Sequence, residues 1–107
     1  MKNAAIGALV RDLNKIPGVK ALKLPGSATL ESGTPDLLIV AHGHPFLIEI
    51  KHGRDKPTPI QQCRLDEWAA AGATTAVCWS RADAMAIIGA PPPSAPRTTL
   101  RARSGRA

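Results

Sequence analysis

Asp36, Glu49 and Lys51 stand out because each places a charge inside or at the end of an apolar run. Asp36 opens Asp36-Leu37-Leu38-Ile39-Val40-Ala41, while Glu49 and Lys51 close Phe46-Leu47-Ile48-Glu49-Ile50-Lys51. Charge set within an apolar segment is costly to desolvate, so it persists where it is paired or used. Glu49 and Lys51 are two apart on one expected strand and share a face, with α-carbons roughly 6.5–7 Å apart. Two carboxylates within reach of each other suit Mg²⁺ or Mn²⁺, hard cations that take oxygen ligands and retain waters. Such a cation acidifies a water and neutralises charge on a phosphate oxygen, and a lysine ammonium can position that water or stabilise developing negative charge. Hydrolysis of a phosphodiester is the simplest reaction these groups support.

Whether Asp36 joins the other two depends on register. With strands at Asp36–Ala41 and Phe46–Lys51 and His42-Gly43-His44-Pro45 as the connection, symmetric closure sets Ala41 opposite Phe46, Leu38 opposite Glu49 and Asp36 opposite Lys51. Opposed residues of an antiparallel pair project to the same side, so all three charges meet at one end of one face. A two- or four-residue connection keeps that result, whereas an odd loop or a bulge undoes it.

The remaining elements follow from periodicity and breakers. Ile6, Leu9, Val10, Leu13 and Ile16 repeat at helical spacing before Pro17-Gly18, which predicts a helix over about residues 3–16. Val19–Leu24 reads as a strand closed by Pro25-Gly26, and residues 27–35 as a loop. The Asp36 and Phe46 strands are apolar on both faces, which predicts central strands covered on each side. Gly53–Pro57 forms a basic loop. Thr58 caps a second helix with Pro59 at its first position, ending near Ala71-Gly72. Thr75–Trp79 is a further strand, and a last helix starts around Ser80–Asp83 and ends at Gly89. On the second helix Gln61, Leu65, Trp68 and Gly72 share one stripe, read as sheet-facing, and Gln61 sits at its N-terminal end where anions are favoured. Thr58 and Gln61 equally form a capping-box pair, a structural use that needs no chemistry. The expected fold class is α/β: an αβββαβ core, with a mixed central sheet flanked by helices.

Composition bounds the rest. The chain has 107 residues, enough for one domain, and is 44% hydrophobic. Aromatics make up 3%, which argues against the stacking platforms of single-strand binders. Cys63 and Cys78 fit neither a zinc site nor a disulfide framework and read as reduced core thiols. No apolar stretch approaches a membrane span and the start has no signal-peptide core, so a soluble, intracellular protein is expected, with no membrane partner. The net charge is +6, and Arg97, Arg101, Arg103 and Arg106 supply most of it from a segment free of acids. That segment begins Pro91-Pro92-Pro93, so residues 1–90 are expected to be the folded domain and 91–107 a flexible basic arm. Arg54, Lys56 and Lys23 border the Asp36–Glu49 region and are candidates for phosphate-backbone contacts, as is His52. His42 and His44 lie at the opposite end of the strands and read as solvated turn residues.

Taken together, Lys23-Leu24-Pro25-Gly26-Ser27, Gly33-Thr34-Pro35-Asp36-Leu37, Ile48-Glu49-Ile50-Lys51, Pro57-Thr58-Pro59-Ile60-Gln61 and Ala71-Gly72-Ala73 resemble the stand-alone VRR-NUC branch of the PD-(D/E)xK nuclease superfamily. The resemblance covers about Lys23 to Ser80. It implies a restriction-endonuclease-like fold and a Mg²⁺- or Mn²⁺-dependent, structure-selective DNA endonuclease of phage or mobile-element type, acting on junction, flap or duplex DNA. It also implies a homodimer, suited to two-fold symmetric Holliday junctions, and no small-molecule cofactor. Carried over residue by residue, it makes Asp36, Glu49 and the main-chain carbonyl of Ile50 metal ligands, and makes Lys51 and Gln61 complete the catalytic set. One departure stands against it. The family carries an acid on the first helix, but Lys2-Asn3-Ala4-Ala5-Ile6-Gly7 has none, leaving Asp12 and Glu31 as the possible substitutes. A catalytically inactive DNA-binding module with the same fold is therefore the alternative.

Overall fold

The computed structural model describes residues 1–26 and 29–89. The Pro/Arg-rich segment expected over 91–107 lies outside them, as does Ser27. Among the described residues the elements run α1 (Asn3–Leu13), β1 (Val19–Lys23), β2 (Leu37–Ala41), β3 (His44–Ile50), α2 (Pro59–Ala70), β4 (Thr74–Cys78) and α3 (Arg81–Gly89). The four strands form one sheet in the order β1-β2-β3-β4, with the first two pairings antiparallel and the third parallel. This is the expected mixed sheet flanked by helices, with β2 and β3 in the centre.

Strand alternation sorts the side chains. One face carries Ala21, Leu37, Ile39, Ala41, Phe46, Ile48, Ile50 and Cys78, which pack with Ile6, Leu9 and Leu13 of α1 and Ala84 of α3 into the main core. Full burial of each larger aliphatic side chain here stabilises the fold by about 1.5–3 kcal/mol. On the other face α2 lies over β3 and β4, with Leu65 and Leu47 buried. Among the described residues no such cover reaches Leu22 of β1 or Val40 of β2, which are 52% and 39% exposed. Both faces of β3 are therefore covered, as expected, but only one face of β2.

The register differs from the symmetric closure by two residues. His42 and Gly43 both have positive φ, 52° and 83°, which makes them the centre of a two-residue turn of the type whose twist matches an antiparallel hairpin. Ala41 therefore pairs with His44, Ile39 with Phe46 and Leu37 with Ile48. His44 and Pro45 belong to β3 rather than to the connection, and Asp36 falls at the position opposite Glu49 instead of Lys51. A two-residue shift leaves every side chain on its face, so the meeting of the three charges survives the correction.

Other expectations are corrected at element ends. α1 stops at Leu13, because Asn14 turns its side chain onto β1: its Nδ2 donates to the Ala21 carbonyl at 3.0 Å, and its Oδ1 accepts from the Ala21 N–H at 2.7 Å. That side chain occupies main-chain groups on the outer edge of the sheet, a site where another strand could otherwise add. β4 begins and ends one residue early. Cys63 is exposed, not a core thiol, whereas Cys78 is buried. Trp68 and Gly72 are exposed too, because α2 presents only Leu65 fully to the sheet.

Asn14→Ala should lower the unfolding free energy by about 1–3 kcal/mol, since it strands two main-chain groups of Ala21. Urea denaturation measures this, and a concentration-dependent rise in self-association would accompany the freed edge.

Candidate active site

The site forms where β2 stops and β3 continues. Asp36 precedes β2 directly, and neighbours on both sides hold its backbone: its N–H donates to Ile48 O at 3.0 Å, and its carbonyl accepts from Leu24 N–H at 2.8 Å. Pro35, fully buried, has no N–H with which to extend the ladder. The Ile50 N–H instead donates to Asp36 Oδ2, at 2.7 Å. The Asp36 carboxylate is thus aimed by a main-chain group of β3 and held against Glu49.

Glu49 is 2% exposed. Its Oε2 lies 3.6 Å from Lys51 Nζ, while its Oε1 is buried without a hydrogen-bond partner among the described residues. Burial first, and then the neighbouring Asp36 carboxylate, push the Glu49 carboxyl up to about 7, with Lys51 opposing. Near neutral pH the pair therefore holds a proton part of the time. β4 steadies the third member, since the Lys51 N–H donates to Cys78 O at 2.9 Å. Asp36, Glu49 and Lys51 thus come together, as the parity of the hairpin requires. Among the described residues no group of three or more His, Cys, Asp or Glu side chains converges on a metal position. What converges is two carboxylates, one oxygen of which is orphaned.

The other candidates have their own surroundings. Gln61 is engaged in the cap of α2: its Oε1 accepts from Thr58 N–H at 2.9 Å and its N–H donates to Thr58 Oγ1 at 3.3 Å. Lys23 is exposed at the end of β1, opposite Leu37. Arg54 and Lys56 are exposed on the loop that follows Lys51. His52 Nδ1 lies 2.9 Å from the Met1 amino group, which also donates to Lys51 O at 3.0 Å and so brings the start of α1 to the lip of the site. His44 Nε2 pairs with Thr74 Oγ1 at 2.8 Å, at the turn end of the hairpin.

Neither possible substitute for a first-helix acid reaches the site. Asp12 bonds Arg81 at 2.6 Å, which with Lys15 holds its carboxyl below the usual range. Glu31 faces Arg64 at 3.5 Å. The first turn of α1 itself carries no acid.

Two residues that shape the site escaped the sequence reading. Arg64 donates from Nε to Ser32 O at 2.9 Å and from Nη1 to Glu67 at 3.1 Å, tying the loop before Asp36 to α2. In sequence it is one more arginine on a helix. Trp79 donates its indole N–H to Asp55 O at 2.8 Å, pinning the basic loop. Gly33 belongs to the quoted motif, and its reason is steric. Its φ is +80°, and a Cβ there would sit 2.8 Å from Ile60 O.

The arrangement of strands and helices is an α/β fold like that of VRR_NUC domain structures. A solved structure described as "VRR_NUC domain protein" superposes with a TM-score of 0.66, at 18% identity, over 82% of this chain and 84% of that one. A second, described as "VRR_NUC domain", gives 0.63 at 24% identity, over 79% and 91%. No protein-family model and no curated protein sequence matches the chain.

Gly33→Ala should cost roughly 1–3 kcal/mol, because the left-handed φ and the contact with Ile60 act together. Thermal unfolding measures that loss. The Glu49 carboxyl sits at about 7 in the folded chain against the ordinary value of 4.5 that it takes in the unfolded chain, so between those values the folded state binds more protons than the unfolded state. Stability from this group is full below about 4.5 and is lost as pH rises through about 7. In EDTA, Glu49→Gln should therefore gain stability relative to the parent at pH 8 and lose that advantage at pH 5, as read by urea unfolding.

Proposed function

We propose that the chain is a metal-dependent, structure-selective DNA endonuclease that hydrolyses phosphodiester bonds. The observation that carries this reading is the buried Glu49 pressed against Asp36, with Oε1 unpartnered among the described residues and Lys51 alongside. Two desolvated carboxylates repel one another, and a divalent cation resolves both the repulsion and the orphaned oxygen. Asp36 and Glu49 would hold Mg²⁺ or Mn²⁺, and the Ile50 carbonyl suits a third position. A strand residue directs its N–H and C=O to the same edge, and the Ile50 N–H points at Asp36. When bound, the cation supplies charge neutralisation at the phosphate and a more acidic water.

The chain's own residues do the rest. Asp36 keeps its orientation through the Ile50 N–H. Lys51 sets its ammonium beside the carboxylates, where it orients the attacking water or meets negative charge building on the phosphate. Gln61 caps α2 and so fixes the start of that helix near the site; its Nε2 is the part left for a contact with water or phosphate. Arg54, Lys56 and His52 follow Lys51 in the chain and would serve as sequence-independent phosphate contacts, whereas Lys23 shares the face of Leu37 and would reach a phosphate only around the end of the sheet. A likeness to VRR_NUC domain structures agrees with a nuclease acting on branched or duplex DNA. A homodimer in the cytoplasm, without a small-molecule cofactor, completes this reading, and two-fold symmetry would match a junction's own.

A second reading has its own support. The acid-free first turn of α1 lies beside Lys51, and both Asp12 and Glu31 are engaged elsewhere. An inactive DNA-binding module would have this incomplete ligand set.

Labelled duplex, flap, single-stranded and four-way-junction DNA, incubated with Mg²⁺, Mn²⁺ or EDTA, separates the two. The nuclease reading expects metal-dependent cutting, reduced on the order of 10²–10³-fold by Lys51→Ala and by Glu49→Gln with DNA binding kept. Cutting unchanged in Glu49→Gln would remove the proposed site. Binding without cutting in every metal would establish the inactive module.

A further inference from the structure

Trp79 occupies a place at this site that the reaction does not account for. In the parallel pairing of β3 with β4, Glu49 stands opposite Val77 and Ile50 opposite Cys78, so the next position sets Trp79 beside Lys51. The Lys51 N–H bonds to the residue just before it. Trp79 follows the end of β4 directly, two residues after Val77, which stands opposite Glu49. Adjacent strands lie about 4.8 Å apart, so this is an immediate neighbour of the proposed site, not a distant one.

The ring is both open and immobilised. Its indole N–H is fixed by Asp55 O at 2.8 Å, and the Trp79 main-chain N–H by Asp83 Oδ2 at 2.9 Å. Yet Trp79 remains 40% exposed. With its polar edge satisfied, what it offers to solvent is apolar ring surface, held still at the lip of a carboxylate–lysine cluster. The loop it pins carries the exposed Arg54 and Lys56. Cations that attract a phosphate backbone thus flank a flat aromatic surface whose ordering cost is already met by the fold.

We infer that Trp79 is a substrate-contact residue that stacks on an unpaired base next to the phosphate held at Asp36 and Glu49. The substrate class is DNA carrying unpaired nucleotides, such as a flap or a single-stranded arm, in preference to fully paired duplex. A base inside a duplex already has both faces stacked, whereas an unpaired base has a face to give. This inference rests on the nuclease reading for the location of the phosphate, but its test does not need cleavage.

The chain has two tryptophans, so Trp68→Phe leaves Trp79 as the sole indole reporter. That protein is titrated with a blunt duplex and with the same duplex carrying an oligothymidine arm, in EDTA and again in Ca²⁺. Stacking should quench the indole fluorescence with the armed duplex and leave it nearly unchanged with the blunt one. In the full chain, Trp79→Leu should bind the armed duplex roughly 5- to 150-fold more weakly relative to the blunt duplex, whose own affinity falls only by what freeing the Arg54–Lys56 loop costs. Trp79→Phe keeps a ring but loses the bond to Asp55 O, so its armed-duplex affinity should fall between the parent and Trp79→Leu, and the melting temperatures of both variants report on folding. Absence of quenching in both buffers, or an equal loss of affinity for both DNAs in Trp79→Leu, overturns the inference. Quenching without metal-dependent cutting by the parent would sustain the stacking residue while removing the nuclease; cutting without quenching would do the reverse.

Discussion

The hydrogen bond from the Ile50 N–H to Asp36 Oδ2 is the constraint on which the rest of the site depends. It is made where the β2–β3 ladder ends: Pro35 has no N–H to offer a carbonyl of β3, and the Ile50 N–H takes the Asp36 side chain as its acceptor. One interaction thereby ends a strand pairing and aims a carboxylate. Everything before Asp36 serves the same placement: Gly33 lets the loop pass against Ile60, and Arg64 ties Ser32 to α2. Everything after Glu49 holds the other side, with β4 fixing the Lys51 main chain through Cys78.

This placement is not one that stability alone would select. Glu49 is buried against a second carboxylate, the Lys51 ammonium stands 3.6 Å away rather than at close hydrogen-bonding distance, and one Glu49 oxygen is unpartnered among the described residues. A neutral or apolar residue at position 49 would suit a sheet position under α2 better. An unfavourable arrangement of this kind, at the rim of an otherwise well-packed sheet, is what the proposed metal site would explain. The capping box at Thr58 and Gln61 makes the opposite case. All of its main-chain bonds are met, so its geometry is explained by helix formation without appeal to any site.

Much of this was legible in the sequence, and for identifiable reasons. Elements with a strong period or a clear breaker, such as α1 before Pro17-Gly18 and α2 after Thr58-Pro59, came out in the right order and near their observed limits. The hairpin's parity was legible because strand faces alternate with period two, so Asp36 and Glu49 shared a face under either even connection. Its exact register was not, since His42 can take the left-handed conformation that a two-residue turn needs, and composition does not reveal that it does. Burial on α2 was misread because helical spacing identifies a stripe but not how far the sheet extends beneath it. Trp68 and Cys63 are exposed for that reason. The low aromatic content likewise counted rings without saying where they stand, and Trp79 stands beside the carboxylate pair.

The two faces of the sheet explain why the site lies where it does. Beneath α1 and α3 the packing is continuous from Ala21 to Cys78, which makes the backbone of β3 rigid along its length. On the other face α2 covers β3 and β4 but leaves Leu22 and Val40 of β1 and β2 exposed. Asp36 therefore lies at the border between a covered and an open half, on a backbone fixed from below. The site as proposed needs both conditions: enough cover to desolvate Glu49, and enough opening for a phosphate to reach it. Moving the boundary one strand toward β1 would bury the pair, and moving it toward β4 would leave Glu49 solvated and ordinary. The end of β2, set by Pro35, is where those demands meet.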